Sequence, residues 1–430
     1  MPSNSAARST LQLSPFVAMR YNPDLISDLG DVTSPPYDVM DRSMIDSLLA
    51  GHPNNVVRLI LPRLVTDPMA GQDPYARAAN RMLRWREQSV LISDDQPALF
   101  VYEYGDAQHR MCGLIGAVGL REPQERVILP HEDVIEAIVE DRVAMLTAQE
   151  ANLEPIMLTY DGEGEISDLI AEAQKQQPLV DMSLSDQTYH RIWRITDVED
   201  LQRIANHLAP RQALIADGHH RYAAYLQCRQ ERAASMSSPW HSGLALLIDH
   251  SQCPLAIGPI HRSISDITVD RLSRAVEGMS NVIVGPAQPF EPNGLPSPSR
   301  GSSTDAPTSP RSPASQRLLV TDGEIQRSFE VTHRRDAPDS LAQVLHDELL
   351  PLWAVSEERL SYHHTLEQTL HAAHQEGGVA VFMPAASVEE VMSIAAAGLK
   401  MPRKSTSFGP KPQMGLIMRS FDDQEVVAQL

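Results

Sequence analysis

The segment LIADGHHRYAAY groups side chains that bind anions and carry protons. An apolar run ends at Asp217 and Gly218, and a predicted helix opens with His219, His220 and Arg221. The first N–H groups of a helix attract anions, and glycine lets a ligand approach the backbone closely. An arginine fork and imidazole groups suit phosphate oxygens and proton transfer. The pattern predicts a phosphate-binding turn; histidines capping a surface turn, with Arg221 paired to an acid, are the alternative.

A second candidate is KSTSFGPKP near the C-terminal end of the sequence. Lys404, Ser405, Thr406, Ser407 and Lys411 place two ammonium groups and three hydroxyls close together. The run GLIMRS follows and predicts a strand that anchors the loop, which favours a phosphate or carboxylate contact over a solvated loop. The P-loop pattern GxxxxGK[ST] and the dinucleotide pattern GxGxxG do not occur.

Carboxylates stand in SPPYDVM and PHED. Two prolines hold the chain extended before Tyr37 and Asp38, so that Asp38 is either a catalytic carboxylate or the cap of the helix DRSMIDSLLA. His131 is a candidate phosphate contact, and Glu132 or Asp133 is a candidate base or magnesium ligand. The alternative is that the acids of PHED only favour the next helix's N-terminus. Helix geometry could bring Arg142, ten residues on, within reach of the same site, but a surface salt bridge is expected.

Two histidine-bearing segments complete the inventory. In GPIHR, His261 and Arg262 follow an apolar run and could form another phosphate clamp, the alternative being an ordinary His-Arg pair on the surface. With Tyr37 they are the candidate substrate contacts. In HTLEQTLHAAH, histidines recur at helical spacing, but no HExxH or paired carboxylate accompanies them, so no metal site is predicted there.

Together these motifs resemble known proteins. DGHHRYAAY resembles the G-x-H-R turn of the ParB and sulfiredoxin superfamily, whose members bind nucleotide phosphates there. His219 stands where sulfiredoxin has its reactive cysteine, so sulfinic acid reduction has no nucleophile at this position. Free serine kinases, which carry the histidine form, are the more similar branch. SPPYDVM, PHED, ADGHHRY, GPIHR and KSTSFGPKP, in this order, resemble a prokaryotic family of unknown function numbered ten-fifteen.

Strand-like and helix-like segments alternate along the chain and predict an α/β or α+β fold. We expect mixed sheets with a ParB/sulfiredoxin-like strand–turn–helix phosphate site. Strand-like segments are VVRLIL, ALFVYEY, GLIGAVGL, PIMLTY, HRIWRI, QALIAD, GLALLID and VAVFM. Asp197 and Ser387 are predicted N-caps, with Glu390 completing a capping box at the second.

The domain prediction is one α/β unit, or two subdomains, formed by residues 1–285 and 317–430. Residues 286–316, rich in Pro, Ser, Gly and Thr, are expected to be a flexible insertion because they lack bulky apolar side chains. The flanking runs NVIVG and RLLVTD could pair across it and continue one domain.

Composition restricts the class of partner. The net charge of −20 disfavours nucleic acid, and no apolar run approaches membrane-spanning length. Three dispersed cysteines indicate buried thiols in a cytoplasmic protein.

The predicted function is a phosphotransferase that uses ATP or ADP with Mg²⁺ and acts on the hydroxyl of a small amino-acid-like substrate, serine being the expected acceptor. Asp217 to Arg221 would hold the phosphates, Lys404 and Lys411 would neutralise charge, and Asp38 or Glu132 would orient or deprotonate the hydroxyl. The alternatives are a ParB-like nucleotide switch without transfer to a small molecule and a simple nucleotide hydrolase.

Overall fold

The computed structural model describes residues 10–65, 73–233, 235, 238–290, 315–332 and 340–427. The strands are β1 (Leu13–Ser14), β2 (Met19–Tyr21), β3 (Leu91–Ser93), β4 (Leu99–Gly105), β5 (Arg110–Gly119), β6 (Ile128–Leu129), β7 (Ala151–Asn152), β8 (Ile156–Tyr160), β9 (Val180–Ser183), β10 (Tyr189–Ile195), β11 (Ala213–Asp217), β12 (Ser242–Asp249), β13 (Ala256–Gly258), β14 (His261–Ile264), β15 (Val282–Val284), β16 (Gln288–Pro289), β17 (Ser315–Thr321), β18 (Ile325–Thr332), β19 (Leu360–His363), β20 (Val379–Phe382), β21 (Ser407–Gly409) and β22 (Arg419–Ser420).

The helices are α1 (Arg42–Gly51), α2 (Val57–Ile60), α3 (Pro74–Glu87), α4 (Glu136–Gln149), α5 (Ser167–Ala173), α6 (Val198–Leu208), α7 (His219–Arg232), α8 (Val269–Ala275), α9 (Leu341–Val344), α10 (Leu350–Leu352), α11 (Leu366–Gln375), α12 (Val388–Ala396) and α13 (Asp422–Val427). A π-helical segment (Leu345–Leu349) joins α9 to α10. Short 3-10 helices lie at Leu29–Asp31, Tyr37–Val39, Pro62–Leu64, Pro123–Glu125, Pro239–His241 and Glu357–Arg359.

The chain forms two compact units. The first contains residues 1–130, 134–255 and 410–430, and the second contains residues 131–133 and 256–409. No described helix has the length and apolar character needed to cross a lipid bilayer.

The first unit is built on a mixed sheet with the strand order β6-β11-β8-β12-β5-β4-β10-β9, in which β1 also pairs with β5. β8 runs parallel to β12 and antiparallel to β11. Every residue of β4 and β8 is buried, as expected for apolar strands covered on both faces. A separate core packs α1, α2 and α3 against the buried methionines Met19, Met414 and Met418.

The second unit contains an antiparallel sheet with the order β15-β18-β17-β20-β14-β19, and β16 pairs with β18. Its core surrounds Phe329 and Trp353, whose rings meet edge to face with centroids 5.6 Å apart. β13 and β21 form a small ladder of their own.

The structure confirms a mixed α/β class and most of the predicted elements. QALIAD corresponds to β11, and Asp197 and Ser387 accept backbone hydrogen bonds as N-caps of α6 and α12. The runs NVIVG and RLLVTD become β15 and β17, which lie on either side of β18 rather than pairing with each other. Of the predicted insertion at 286–316, residues 291–314 lie outside the described residues.

Two strand predictions are wrong in an instructive way. VVRLIL forms helix α2, because the Asn55 side chain accepts a hydrogen bond from Val57 N and donates to the carbonyls of Asp31 and Thr33, which favours a helical turn. GLIMRS is a strand only at Arg419–Ser420, although the buried Met414 and Met418 still anchor the segment.

Candidate functional site

The turn between β11 and α7 has the geometry that the DGHHR pattern predicts. The register between β11 and β8 shifts between Ile215 and Asp217, and such a bulge re-aims the side chain at the end of the strand. Gly218 is the N-cap residue of α7, has a φ of +95° and brings no side chain of its own to cap the helix. A Cβ at this position would lie 2.8 Å from Ile156 Cγ2 and 3.1 Å from Arg221 Nε. The turn therefore requires glycine and leaves the helix N-terminus open to a ligand.

Arg221 does not present its guanidinium as a phosphate fork. The side chain is only 4% exposed, and Nη1 and Nη2 donate to the Pro155 carbonyl at 2.8 Å and to Asp217 Oδ2 at 2.5 Å. Burial opposes the charge, but Glu154 and Asp217 outweigh it and raise the pKa of Arg221. The predicted phosphate contact is thus corrected: Arg221 is a positioning residue that fixes the Asp217 carboxylate.

Lys411 links the two carboxylates of this site. Its ammonium lies 2.7 Å from Asp217 Oδ1 and also donates to Asp38 Oδ2. Burial disfavours the ammonium, but Asp217 and Asp38 outweigh that effect and raise the pKa of Lys411. The Lys411 and Asp217 side chains are 16% and 12% exposed, whereas Asp38 is 38% exposed. Asp38 is therefore the side chain of the three that solvent reaches most easily.

The segment that carries Lys411 is fixed by hydrogen bonds within the first unit. Pro410 O accepts from the Tyr104 hydroxyl at 2.8 Å, and Gln413 N donates to the Tyr102 hydroxyl at 3.1 Å. Ser34 and Met414 then form a two-bond bridge. Lys411 is thus held beside SPPYDVM, although 373 residues separate it from Asp38.

Asp38 does not cap the helix that follows it, which rejects that alternative. The N-cap of α1 is Asp41, whose carboxylate accepts from Met44 N at 2.8 Å. Tyr37 and Asp38 lie in a 3-10 turn after Pro36. Asp38 consequently remains available to the cluster around Lys411.

A buried layer of charge lies behind this cluster. The Arg142 guanidinium stacks on the Tyr37 ring at 4.6 Å, pairs with Asp141 Oδ2 at 2.5 Å and lies 3.6 Å from Glu154 Oε2. Arg142 is 6% exposed, so the predicted surface salt bridge is wrong: its ion pairs are buried. Burial also raises the pKa of Tyr37 to about 12.

Glu154 is the residue that sequence reasoning missed. It is 2% exposed, and in the described part of the chain neither carboxylate oxygen has a hydrogen-bond partner. Burial raises its pKa, and the nearby Arg221 and Arg142 act in the opposite direction. The one signal in the sequence was an acid placed directly before Pro155 and a fully apolar strand.

His220 is engaged at one ring nitrogen. Ile135 N, at the N-cap of α4, donates to His220 Nε2 at 3.0 Å, so that nitrogen carries no proton. Burial, followed by the charges of Arg142 and Arg221, lowers the pKa of His220. A neutral imidazole with its proton on Nδ1 can donate a hydrogen bond from that atom, whereas Nε2 already accepts from Ile135 N. His219 is the first residue of α7.

The remaining predicted residues lie in the second unit. Glu132 Oε1 accepts from Ser405 N and Thr406 N, both at 3.2 Å, and from Thr406 Oγ1 at 2.9 Å. His131 is fully buried and hydrogen-bonds Thr406 Oγ1 through Nε2 at 2.9 Å. The loop of KSTSFGPKP does bind a carboxylate, but it is the chain's own Glu132. The Oε1 atom of Glu132 is therefore occupied by the protein's own loop.

His261 and Arg262 are buried neighbours on β14. His261 Nδ1 accepts from Met383 N at 3.1 Å, and burial lowers its pKa to about 4, so this side chain supplies no positive charge for the predicted phosphate clamp. Arg262 Nη2 donates to the Lys404 carbonyl at 3.2 Å. Lys404 itself has a φ of +54° and holds its ammonium 5.4 Å from the Tyr362 ring centre.

The donor set of the first unit suits a nucleotide phosphate with Mg²⁺. Magnesium in phosphoryl-transfer sites is held by one or two carboxylates together with phosphate oxygens. Asp38 and Asp217 already share one cation, the Lys411 ammonium, beside the uncapped turn of α7. These oxygens would hold the metal, which would supply charge neutralisation across the phosphates when bound.

Comparison with known proteins gives a family but no activity. A family model described as "Protein of unknown function (DUF1015)" matches residues 13–347. No curated protein matches the chain. Lys411 and the rest of KSTSFGPKP lie beyond the matched range.

Several solved structures are similar to this chain. One is a free serine kinase in complex with AMP (16% identity, 67% of this chain and 89% of that chain covered, TM-score 0.33). Others are SbnI with a C-terminal truncation from Staphylococcus aureus (12%, 69% and 82%, 0.35) and a conserved hypothetical protein from Pyrococcus furiosus (15%, 69% and 94%, 0.33). Because these TM-scores are below 0.5, function must be argued from this chain's own residues.

Proposed function

The chain belongs to the DUF1015 family, and we propose that it is a nucleotide-dependent phosphotransferase that acts on the hydroxyl of a small amino-acid-like substrate. The observation that carries this proposal is the Asp38–Lys411–Asp217 cluster at the open N-terminus of α7. It combines a charged ammonium, two carboxylates and the positive end of a helix dipole in one place. Phosphoryl transfer needs such groups because it depends chiefly on positioning and on neutralising charge.

Each group has a role in the proposed reaction. The acceptor hydroxyl oxygen attacks the terminal phosphorus, the bond from that phosphorus to the leaving phosphate oxygen breaks, and the hydroxyl proton passes to Asp38. Lys411 stabilises the negative charge that develops on the leaving oxygen. Asp217, held by Arg221, and Asp38 would hold the metal, which would supply positive charge to the phosphates, and the first turn of α7 would contact the phosphates.

Lys411 must exchange partners during this cycle. Without ligand its charge is satisfied by Asp38 and Asp217. When nucleotide binds, the Lys411 ammonium would leave the two carboxylates and pair with the phosphate, whose negative charge attracts it. The lysine side chain is long and flexible enough for such a move, whereas the buried Arg221 keeps its two oxygen partners.

The test is a coupled turnover assay with ATP and ADP in parallel, with Mg²⁺, with and without serine. Wild type is compared with Asp38→Asn and Lys411→Met, and Lys175→Met is the matched control because Lys175 pairs with Glu172 on an exposed surface. We expect serine-dependent turnover that falls at least about 100-fold in both site variants and stays unchanged in the control. Turnover that no hydroxy amino acid stimulates would identify a hydrolase instead, and absence of nucleotide consumption would reject the proposal.

A further inference from the structure

Arg262 is a buried cation in the second unit. The residue is 1% exposed and lies on β14, between β19 and β20. Its guanidinium donates to two carbonyls, those of Ile260 and Lys404. Among the described residues, no carboxylate lies within 4 Å of it, and Nε has no hydrogen-bond partner. Three of the five N–H donors of this arginine are therefore unused.

The side chain borders a cavity of about 290 Å³. The wall combines apolar groups with hydroxyls and charges, and among its residues are Arg262, Ser340, Leu341, Met383, Met401 and Ser405. Ligand sites in proteins start near 300 Å³, so the space suits a small metabolite rather than a whole nucleotide. The helix α9 forms one side through Leu341 and Ala342.

The surroundings of Arg262 leave its charge poorly compensated. Burial lowers the pKa of Arg262 to about 10, while Tyr362 and Glu132 act in the opposite direction. The Tyr362 ring centre lies 5.2 Å from the guanidinium and 5.4 Å from the Lys404 ammonium, so two cations lie against the same aromatic ring. Glu132 is meanwhile bound by the Ser405–Thr406 loop. A buried cation in this state is stabilised by an anion that enters the cavity.

We propose that this cavity binds a small organic anion, whose carboxylate or phosphate group meets the unused N–H groups of Arg262. The body of the ligand contacts the apolar wall formed by Leu341, Met383 and Met401. His261 supports the site indirectly, because its ring holds the Met383 backbone. The inference rests on the second unit alone and does not depend on the proposed phosphotransfer.

Binding is measured on the full chain without nucleotide, by ligand-observed NMR titration. The probes are L-lactate, its neutral isostere L-lactamide, and inorganic phosphate, which separates carboxylate from phosphate recognition. We expect one of the two anions to bind in the millimolar range or tighter, and lactamide to bind at least 10-fold more weakly than lactate wherever lactate binds. Equal binding of lactate and lactamide, or no binding of either anion, would overturn the proposal.

Three variants locate the ligand. Arg262→Met should weaken anion binding roughly 30-fold or more, as expected when one partner of a buried charge pair is truncated. Ala342→Phe should abolish binding by filling the cavity while Arg262 stays in place. This variant tests the site even if Arg262→Met fails to fold. Arg403→Met is the control, because Arg403 is an exposed neighbour already paired with Glu357 at 3.0 Å. Anion binding that survives Ala342→Phe, or that falls equally in Arg403→Met, would place the ligand elsewhere.

Discussion

Replacing Lys411 with methionine removes the ammonium from between Asp38 and Asp217 but keeps a side chain of similar length. The Lys411–Asp217 ion pair is largely buried. Breaking a buried ion pair lowers the free energy of unfolding by about 3–5 kcal/mol, whereas an exposed pair contributes about 0–1 kcal/mol, and the Lys411–Asp217 pair should be closer to the buried case. Asp38 is 38% exposed, and solvent screening reduces its share. Partial exposure of both pairs places the expected loss of unfolding free energy at about 2 kcal/mol.

The assay must report on the first unit alone. Of the four tryptophans, Trp353 lies in the second unit, so a Trp353→Phe background makes fluorescence follow the unit that contains Lys411. Urea unfolding of Lys411→Met, Asp217→Asn and the double variant in this background gives the coupling energy. We expect a coupling of about 1.5 kcal/mol between these two contacting residues.

The pH dependence has a definite sign. The pKa of Lys411 is raised in the folded protein, so its stabilising effect is complete below the unfolded pKa, about 10.4, and is lost as pH rises through the folded value. On the alkaline side, the stability difference between wild type and Lys411→Met should therefore shrink only in strongly alkaline buffer. The bridging role of Lys411 would be refuted if Lys411→Met lost no more unfolding free energy than Lys175→Met and the Lys411–Asp217 coupling energy were below about 0.5 kcal/mol.

Three further predictions concern single groups. Gly218→Ala should lower the free energy of unfolding in urea by more than about 2 kcal/mol. Gly278 also has a positive φ but has open space around it, so Gly278→Ala should lose only about 1 kcal/mol. Equal losses in the two variants would contradict the close packing at Gly218. His220 should titrate below the usual histidine range, about 6.5, in NMR, because burial lowers its pKa, and an ordinary value would mean that its ring is solvated. Cys112, whose pKa burial raises to about 12, should react slowly with a thiol reagent in native protein at pH 8 and rapidly after unfolding; fast native reaction would contradict its burial.

Local signals in the sequence were reliable where one segment contained the whole cause. The run ending at Asp217, the glycine and the following helix were predictable because strand, turn and cap all lie within a few residues. The same reasoning failed at VVRLIL, where apolar β-branched residues suggest a strand. There the Asn55 side chain and contacts with residues 31–33 favour a helix, and no pattern within the run reveals such contacts.

The sequence predicted which residues belong to the candidate site better than it predicted the role of each. Lys411 and Asp38 are far apart in sequence, and only the folded chain brings them to one place. Arg221 and Glu132 have the residue types of phosphate and proton chemistry, yet their partners are internal, because tertiary packing decided which groups satisfy each other. Glu154 gave no periodic or motif signal, since its burial depends on strands and helices that converge from elsewhere.

The most direct test of the proposed site is the affinity of ADP for wild type, Lys411→Met and Lys175→Met, measured by calorimetry in the presence of Mg²⁺. Adenosine serves as the ligand without phosphate. The phosphotransferase proposal predicts that Lys411→Met lowers the affinity for ADP at least about 10-fold. The affinity for adenosine, and the affinity of the Lys175→Met control for ADP, should stay unchanged. Equal ADP affinity in all three proteins, or no ADP binding at all, would contradict a phosphate site at Lys411.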